Sequence, residues 1–361
     1  MPPSHSTVEI MTTGRRRDSF MHDKDSNRPT VTSTNVIAEM ACSHEGDSTL
    51  ARTIIDGAGQ AGADGIQFQI WRLENTVVPQ HRDYQRIARL EMSQAVWGDL
   101  AAYVRQRFPN MQIIACVQDH SSIDFCESIQ VDAYKLHSSD LSNPPIVKHV
   151  AKTGRRIDLS VGGSTIDEIQ RTLEWIREVG DAKIWLMYGY QRFPTPTDAI
   201  HLNYMQKLAE LFELPIGYQD HSAGGSDAAF WLPAAAMGMG VDAVEIHVTH
   251  DRSKKGIDHE AAMNPDEFAR FVAMVREIDR AKGIGVPRPF SPEESAYRKY
   301  SKKSLVAACP IAAGKRLVEE HWVALRTEEL GLPPDQANRI IGRTAKREIA
   351  AYQLIREEDL Q

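Results

Sequence analysis

Residues 214–250 read LPIGYQDHSAGGSDAAFWLPAAAMGMGVDAVEIHVTH. Leu214–Tyr218 and Ala243–Ile246 are short apolar runs of strand length, with a helical segment between them. A histidine stands just beyond each run, His221 in YQDHSAGG and His247 in VEIHVTHDR. If both strands belong to one parallel barrel, both imidazoles emerge on the same rim, about one strand spacing apart. Imidazole is the commonest neutral nitrogen ligand for a divalent transition metal, so the pair is a candidate metal site. Two explicit ligands leave room for water and substrate, the openness a catalytic site needs.

The same strand–helix rhythm runs back to about residue 33. Apolar β-prone runs occur at Val36–Met40, Ile66–Trp71, Ile113–Val117, Ala133–Leu136, Ile157–Val161, Ile184–Tyr188, Pro215–Tyr218 and Ala243–Val248. Helical periodicity occupies Leu50–Ala61, Gln94–Phe108, Ile166–Val179, Leu202–Phe212, Ala229–Met237 and Pro265–Lys282, the last opened by Asn264 as N-cap and proline at the first helical position. Eight such units match the size and order of a (β/α)8 TIM barrel, an α/β fold. The strands read as runs rather than alternations, as in a sheet covered on both faces. A doubly wound open sheet is the competing topology, disfavoured because no GxGxxG follows the first strand. Residues 284–298, IGVPRPFSPEESAYR, read as a linker, and the chain beyond it as a small domain with a thin core. The expected boundaries are 1–32 disordered extension, 33–284 barrel, 285–300 linker and 301–361 small domain.

Composition narrows the function classes. A net charge of −7 over 361 residues gives no electrostatic case for nucleic acid. Cys42, Cys116, Cys126 and Cys309 lack CxxC spacing and read as reduced thiols of a cytoplasmic protein. No apolar run approaches the ~20 residues of a membrane helix. The polar N-terminal stretch holds Arg15, Arg16 and Arg17 without an apolar region after them, unlike a signal peptide.

With the strand ends laid out, the chain resembles the sialic acid synthase family. The matching stretches are IAEMACSHEGD (37–47), GADGIQFQ (62–69), DAYKLHSSDL (132–141), LSVGGSTIDEI (159–169), FPTP (193–196), GYQDHSAG (217–224), VEIHVTHDRSKKGIDH (244–259) and KKSLVAA (302–308). The tail, including LGLPP and IGRTAKREI, resembles the antifreeze-like SAF domain of the same enzymes. The resemblance implies a (β/α)8 barrel followed by a SAF domain. It further implies a metal-dependent condensation of phosphoenolpyruvate with an N-acyl hexosamine to give a nonulosonic acid.

The resemblance also implies roles. His221 and His247 are the metal ligands, with manganese the usual ion and magnesium or cobalt as substitutes. Glu39 is an acid/base or water-positioning group, and Lys135 a charged group of the active site. Ser138 lies near the phosphate, and Asp258 where the acceptor sugar binds. Gln69, Ser160, Arg192 and Asp220 fall among the substrate-binding positions. Arg326 would serve the sugar site of a neighbouring subunit in a domain-swapped homodimer.

Departures cluster at positions that normally hold phosphate. The usual K-F-Q at the end of strand two is QFQ, placing Gln67 where lysine is expected. T-P-F-D after strand three is VQDH (117–120). Gln219 replaces the serine of S-D-H, and Gln191 the asparagine before the FPTP motif. Losing a lysine removes a charge-assisted contact to a dianion, worth ~1.5–3 kcal/mol. The carbonyl-activating half of the site is therefore expected intact and the phosphate half rebuilt.

Two further readings accompany this one: a repurposed enzyme with another donor or acceptor in specialised metabolism, and a non-catalytic sugar-binding homologue. His44, His120, His137 and His250 fall near other predicted strand ends, and His44 fits the family's N-H-N-G-D pattern. His120 and His137 do not fit it and read as polar rim residues, against the alternative that they retune the metal or bind a differently charged donor. Gly162 and Gly163 read equally as a phosphate-binding backbone or a tight turn. Glu245 is expected to support the site from behind.

Overall fold

The computed structural model describes residues 33–361. The 1–32 extension lies outside the described residues. Two compact units part between Ile284 and Gly285.

In the first unit, β1 (Asn35–Glu39), β2 (Gly65–Ile70), β3 (Gln112–Val117), β4 (Ala133–Leu136), β5 (Arg156–Ser160), β6 (Ile184–Tyr188), β7 (Ile216–Asp220) and β8 (Ala243–His247) follow one another in chain order. All pair in parallel, and β8 returns to β1 to close a barrel. The runs seen in the sequence conceal an alternation. Val36, Ala38, Ile66, Phe68, Tyr218, Val244 and Ile246 face the helices and join the large outer core. The intervening residues face the barrel interior, because successive side chains of a strand point to opposite sides. Near the strand starts these inward residues are apolar, and Ile37, Ile114, Ala133, Met187 and Ala243 form a small core of their own. Near the strand ends they are polar. The barrel interior is thus apolar below and polar above, at the face where TIM-barrel chemistry is done.

Helix ends carry explicit stops. Asp47 accepts from the Thr49 N–H at 2.6 Å to open helix Ser48–Ala61, which ends at Gly62 with φ 84°. Thr165 and Glu168 form a reciprocal capping box on helix Ile166–Arg177. Two further helices, His120–Ser128 and Pro144–Lys152, complete strand–helix units in which the sequence showed no periodicity. Among the described residues, no helix is long and apolar enough to cross a membrane.

In the second unit, β9 (Lys303–Ala307) and β10 (Trp322–Arg326) pair antiparallel. Leu305, Ile311, Leu317, Ile340 and Ile349 build its core. Within the stretch read as a linker, Pro292–Ser301 is helical. Ser291 Oγ accepts from the Glu294 N–H at 3.2 Å, while the Glu294 carboxylate accepts from the Ser291 N–H at 2.9 Å. That capping box, with proline at the first helical position, starts a helix inside a Pro- and Ser-rich stretch.

Candidate active site

The inward polar residues enclose one cavity of about 190 Å³ at the strand ends. Of the residues read from the sequence, Glu39, Gln67, Gln69, Lys135, Ser160, Gln191, Gln219, His221, His247 and Asp258 line it. Cys116, His137, Phe193 and Glu245 complete the lining.

At one side stand the two histidines, their ring centroids 5.2 Å apart and nearly perpendicular. His221 Nδ1 lies 2.7 Å from the Tyr190 carbonyl oxygen. A carbonyl only accepts, so Nδ1 carries the proton and Nε2 keeps its lone pair. Burial pushes the His221 pKa down to about 4, so the ring is neutral at physiological pH. Burial, followed by the charges of His221 and Lys135, drives His247 well below its ordinary value. His247 Nδ1 is buried and finds no hydrogen-bond partner among the described residues. Two neutral imidazoles, one with its tautomer fixed and one with an unspent nitrogen, fit a divalent ion. Among the described residues no group of three or more His, Cys, Asp or Glu gathers as a fuller metal set. Phe193 packs over both rings, at 4.3 Å from His221 and 5.3 Å from His247.

Across the barrel, Lys135 Nζ donates to both carboxylate oxygens of Glu245, at 2.7 and 2.5 Å. Burial opposes the Lys135 charge, but Glu245 and Glu39 outweigh it and hold the pKa above its ordinary value. Gln219 Nε2 donates to Glu245 Oε1 at 2.8 Å, and Ser160 Oγ donates to Gln219 Oε1 at 3.0 Å. Glu39 Oε1 accepts from the Ala41 N–H at 2.6 Å and from Gln69 Nε2 at 3.2 Å. Its Oε2 has no partner among the described residues. Burial first, then the Glu245 charge, pushes the Glu39 pKa up to about 8, so this carboxyl holds a proton at neutral pH. Such a group can donate a proton to a developing oxyanion.

Four sequence candidates fall elsewhere. Asp220 is buried but turned away, accepting from the hydroxyls of Tyr218 at 2.9 Å and Ser222 at 2.8 Å. Its inward neighbours Gln219 and His221 leave it no other direction in an alternating strand. Ser138 begins a short turn, Ser138–Asp140, outside the lining, and Arg192 is solvent-exposed. Arg326 is exposed at the end of β10, in the second unit. Among the rim histidines, His137 lines the cavity, whereas His120 pairs with His149 at 2.8 Å on the exterior. His44 is buried edge-on against Trp97.

The glycine pair after β5 is a packing device. A Cβ on Gly162 would stand 2.0 Å from the Gly189 carbonyl oxygen, and Gly163 adopts φ 73°. Both positions need glycine to make the turn, whatever binds nearby. Cys116 was read only as a reduced thiol and Phe193 only as part of FPTP, neither as a site residue. Parity along β3 was the available signal for Cys116, whereas Phe193 depends on how the loop after β6 folds back.

The closed barrel and the small β unit that follows it in the chain each match a known family. The chain belongs to the NeuB family, whose model matches residues 54–287, and a SAF domain matches residues 302–361. It is 27% identical over 340 residues to N,N'-diacetyllegionaminic acid synthase of Campylobacter jejuni, covering 90% of this chain and 99% of that one. It is 27% identical to human N-acetylneuraminate-9-phosphate synthase, over 90% of this chain and 91% of the relative. The solved N-acetylneuraminic acid synthetase of Leptospira borgpetersenii, crystallised with citrate, superposes with a TM-score of 0.67. That match has 27% identity and covers 74% of this chain and 92% of the other.

Proposed function

We propose that the chain is a divalent-metal-dependent synthase that forms a carbon–carbon bond between a three-carbon enol donor and a sugar aldehyde, giving a nonulosonic-type acid. The observation that carries this reading is the neutral histidine pair on one rim of the cavity, with a protonated Glu39 in the same lining. His221 and His247 would hold the ion, with manganese the expected metal. When bound, it would supply Lewis-acid polarisation of the aldehyde carbonyl.

The chain's own residues do the rest. Tyr190 fixes the His221 ring through its carbonyl. Phe193 covers both imidazoles and keeps bulk water off that side. Glu39 holds a proton on a carboxyl whose second oxygen is unspent, placed to protonate the oxygen on which charge develops. The Lys135–Glu245 pair, braced by Gln219, gives a rigid floor against which a donor carboxylate can be oriented. Asp258 at the mouth offers an acceptor to sugar hydroxyls.

A homodimer in which Arg326 serves the sugar site belongs to the same proposal and rests on the family resemblance. Light scattering of the full chain and the acceptor KM of Arg326→Ala test it. The reaction itself is tested by mass spectrometry of product mixtures from candidate donors and hexosamine aldehydes with manganese. A new product whose mass joins donor and acceptor carbon skeletons supports the proposal. Tight manganese binding with no product from any donor would favour a binding protein.

A further inference from the structure

The lining of the cavity is rich in hydrogen-bond acceptors and short of cations. Glu39, Glu245 and Asp258 contribute three carboxyls, and Lys135 is the one lysine or arginine among the described lining residues. Its ammonium already spends two of its three N–H groups on Glu245. Ser160 spends its hydroxyl proton on Gln219, and Gln219 and Gln69 each spend one amide N–H on a carboxylate. The buried lining atoms left without partners among the described residues are Glu39 Oε2, Gln67 Oε1 and His247 Nδ1, and none of them belongs to a cation. Arg86, whose charge acts on Asp258, is itself paired with Asp83 at 3.1 Å.

A phosphate dianion needs the reverse of this: several free donors and an uncommitted cation. Phosphoenolpyruvate adds a carboxylate to that dianion. With Glu39 protonated, Glu245 and Asp258 set two negative charges against the one positive charge of Lys135, so a divalent ion on the two neutral histidines would bring the lining only to a single positive charge, far short of a trianion. One carboxylate, by contrast, matches what remains: the third N–H of Lys135 and the spare amide protons of the glutamines.

We infer that the donor taken by this site is an unphosphorylated 2-keto acid of a single negative charge, bound as its enol, and that Gln67 is a residue that sets this preference. The inference rests on the proposed carbon–carbon synthase reading and narrows its donor. The chemistry balances without a leaving group. One C3 proton leaves the keto acid, the C3 carbon bonds to the aldehyde carbon, and a proton returns to the aldehyde oxygen. The product is a 4-hydroxy-2-keto acid whose mass is the sum of both substrates, with no phosphate released and no water consumed.

The test is calorimetry on the full chain, with and without manganese, using pyruvate, phosphoenolpyruvate and inorganic phosphate as probes. Pyruvate is expected to bind at least ~10-fold more tightly than either phosphate compound. Gln67→Lys is expected to tighten phosphoenolpyruvate by ~10-fold or more while leaving manganese binding unchanged. Tighter binding of phosphoenolpyruvate than pyruvate by the wild type, with phosphate released in a condensation, overturns the donor assignment and leaves the synthase reading standing. Binding of none of the probes, with no condensation product, overturns both.

Discussion

Lys135 and Glu245, 110 residues apart in sequence, close a two-oxygen ion pair inside the barrel between β4 and β8. Both side chains are at most 3% exposed. The pair accounts for two features at once: a charge survives burial at the cavity floor, and that charge is already committed. Removing one partner strands the other in a medium that cannot solvate it, at a cost of ~3–5 kcal/mol. Glu245→Ala is therefore expected to lower unfolding free energy by about that amount in urea titrations. Lys135→Met combined with Glu245→Leu should recover most of the loss. A Glu245→Ala variant as stable as wild type would deny the pair its structural part.

Glu39 gives a pH signature with a definite sign. Burial and the Glu245 charge raise its pKa from 4.5 to about 8 in the folded chain. Between those values the folded state keeps a proton that the unfolded state has lost, so stability from this group is lost as pH rises through the window. Wild type should lose stability relative to Glu39→Gln from pH 4.5 to about 8, read as urea midpoints across the series. Parallel curves for the two proteins would mean that the carboxyl is already ionised at neutral pH.

Gly162→Ala tests the turn after β5. The added Cβ would meet the Gly189 carbonyl oxygen at 2.0 Å, and backbone cannot yield as a side-chain tip can. Overpacking of this kind costs ~1–3 kcal/mol. Thermal unfolding should fall accordingly, in the absence of any phosphate compound. Unchanged stability would return Gly162 to a ligand-binding role.

Much of this was legible in the chain itself. All eight barrel strands follow from apolar runs, because a sheet covered on its outer face needs them. The helix Pro265–Lys282 follows from Asn264 and Pro265. The same signal, serine then proline then glutamate, starts Pro292–Ser301, yet Pro and Ser density there reads as linker. Helix Pro144–Lys152 hides behind paired prolines for the same reason. Inward and outward parity would have turned Asp220 away from the site, since Gln219 and His221 flank it. The partnership of Lys135 with Glu245 was not readable, because a contact across a barrel leaves no local pattern. Nor was the cover that Phe193 lays over the histidines, which depends on how a loop folds back.

Two neutral histidines are proposed to hold the ion that activates the carbonyl. Titration calorimetry of manganese into wild type and His221→Ala measures what the pair contributes. One ion should bind per wild-type chain, and affinity should fall ~10–100-fold or more in the variant, with far-UV circular dichroism unchanged. Manganese bound as tightly by His221→Ala as by wild type would contradict it.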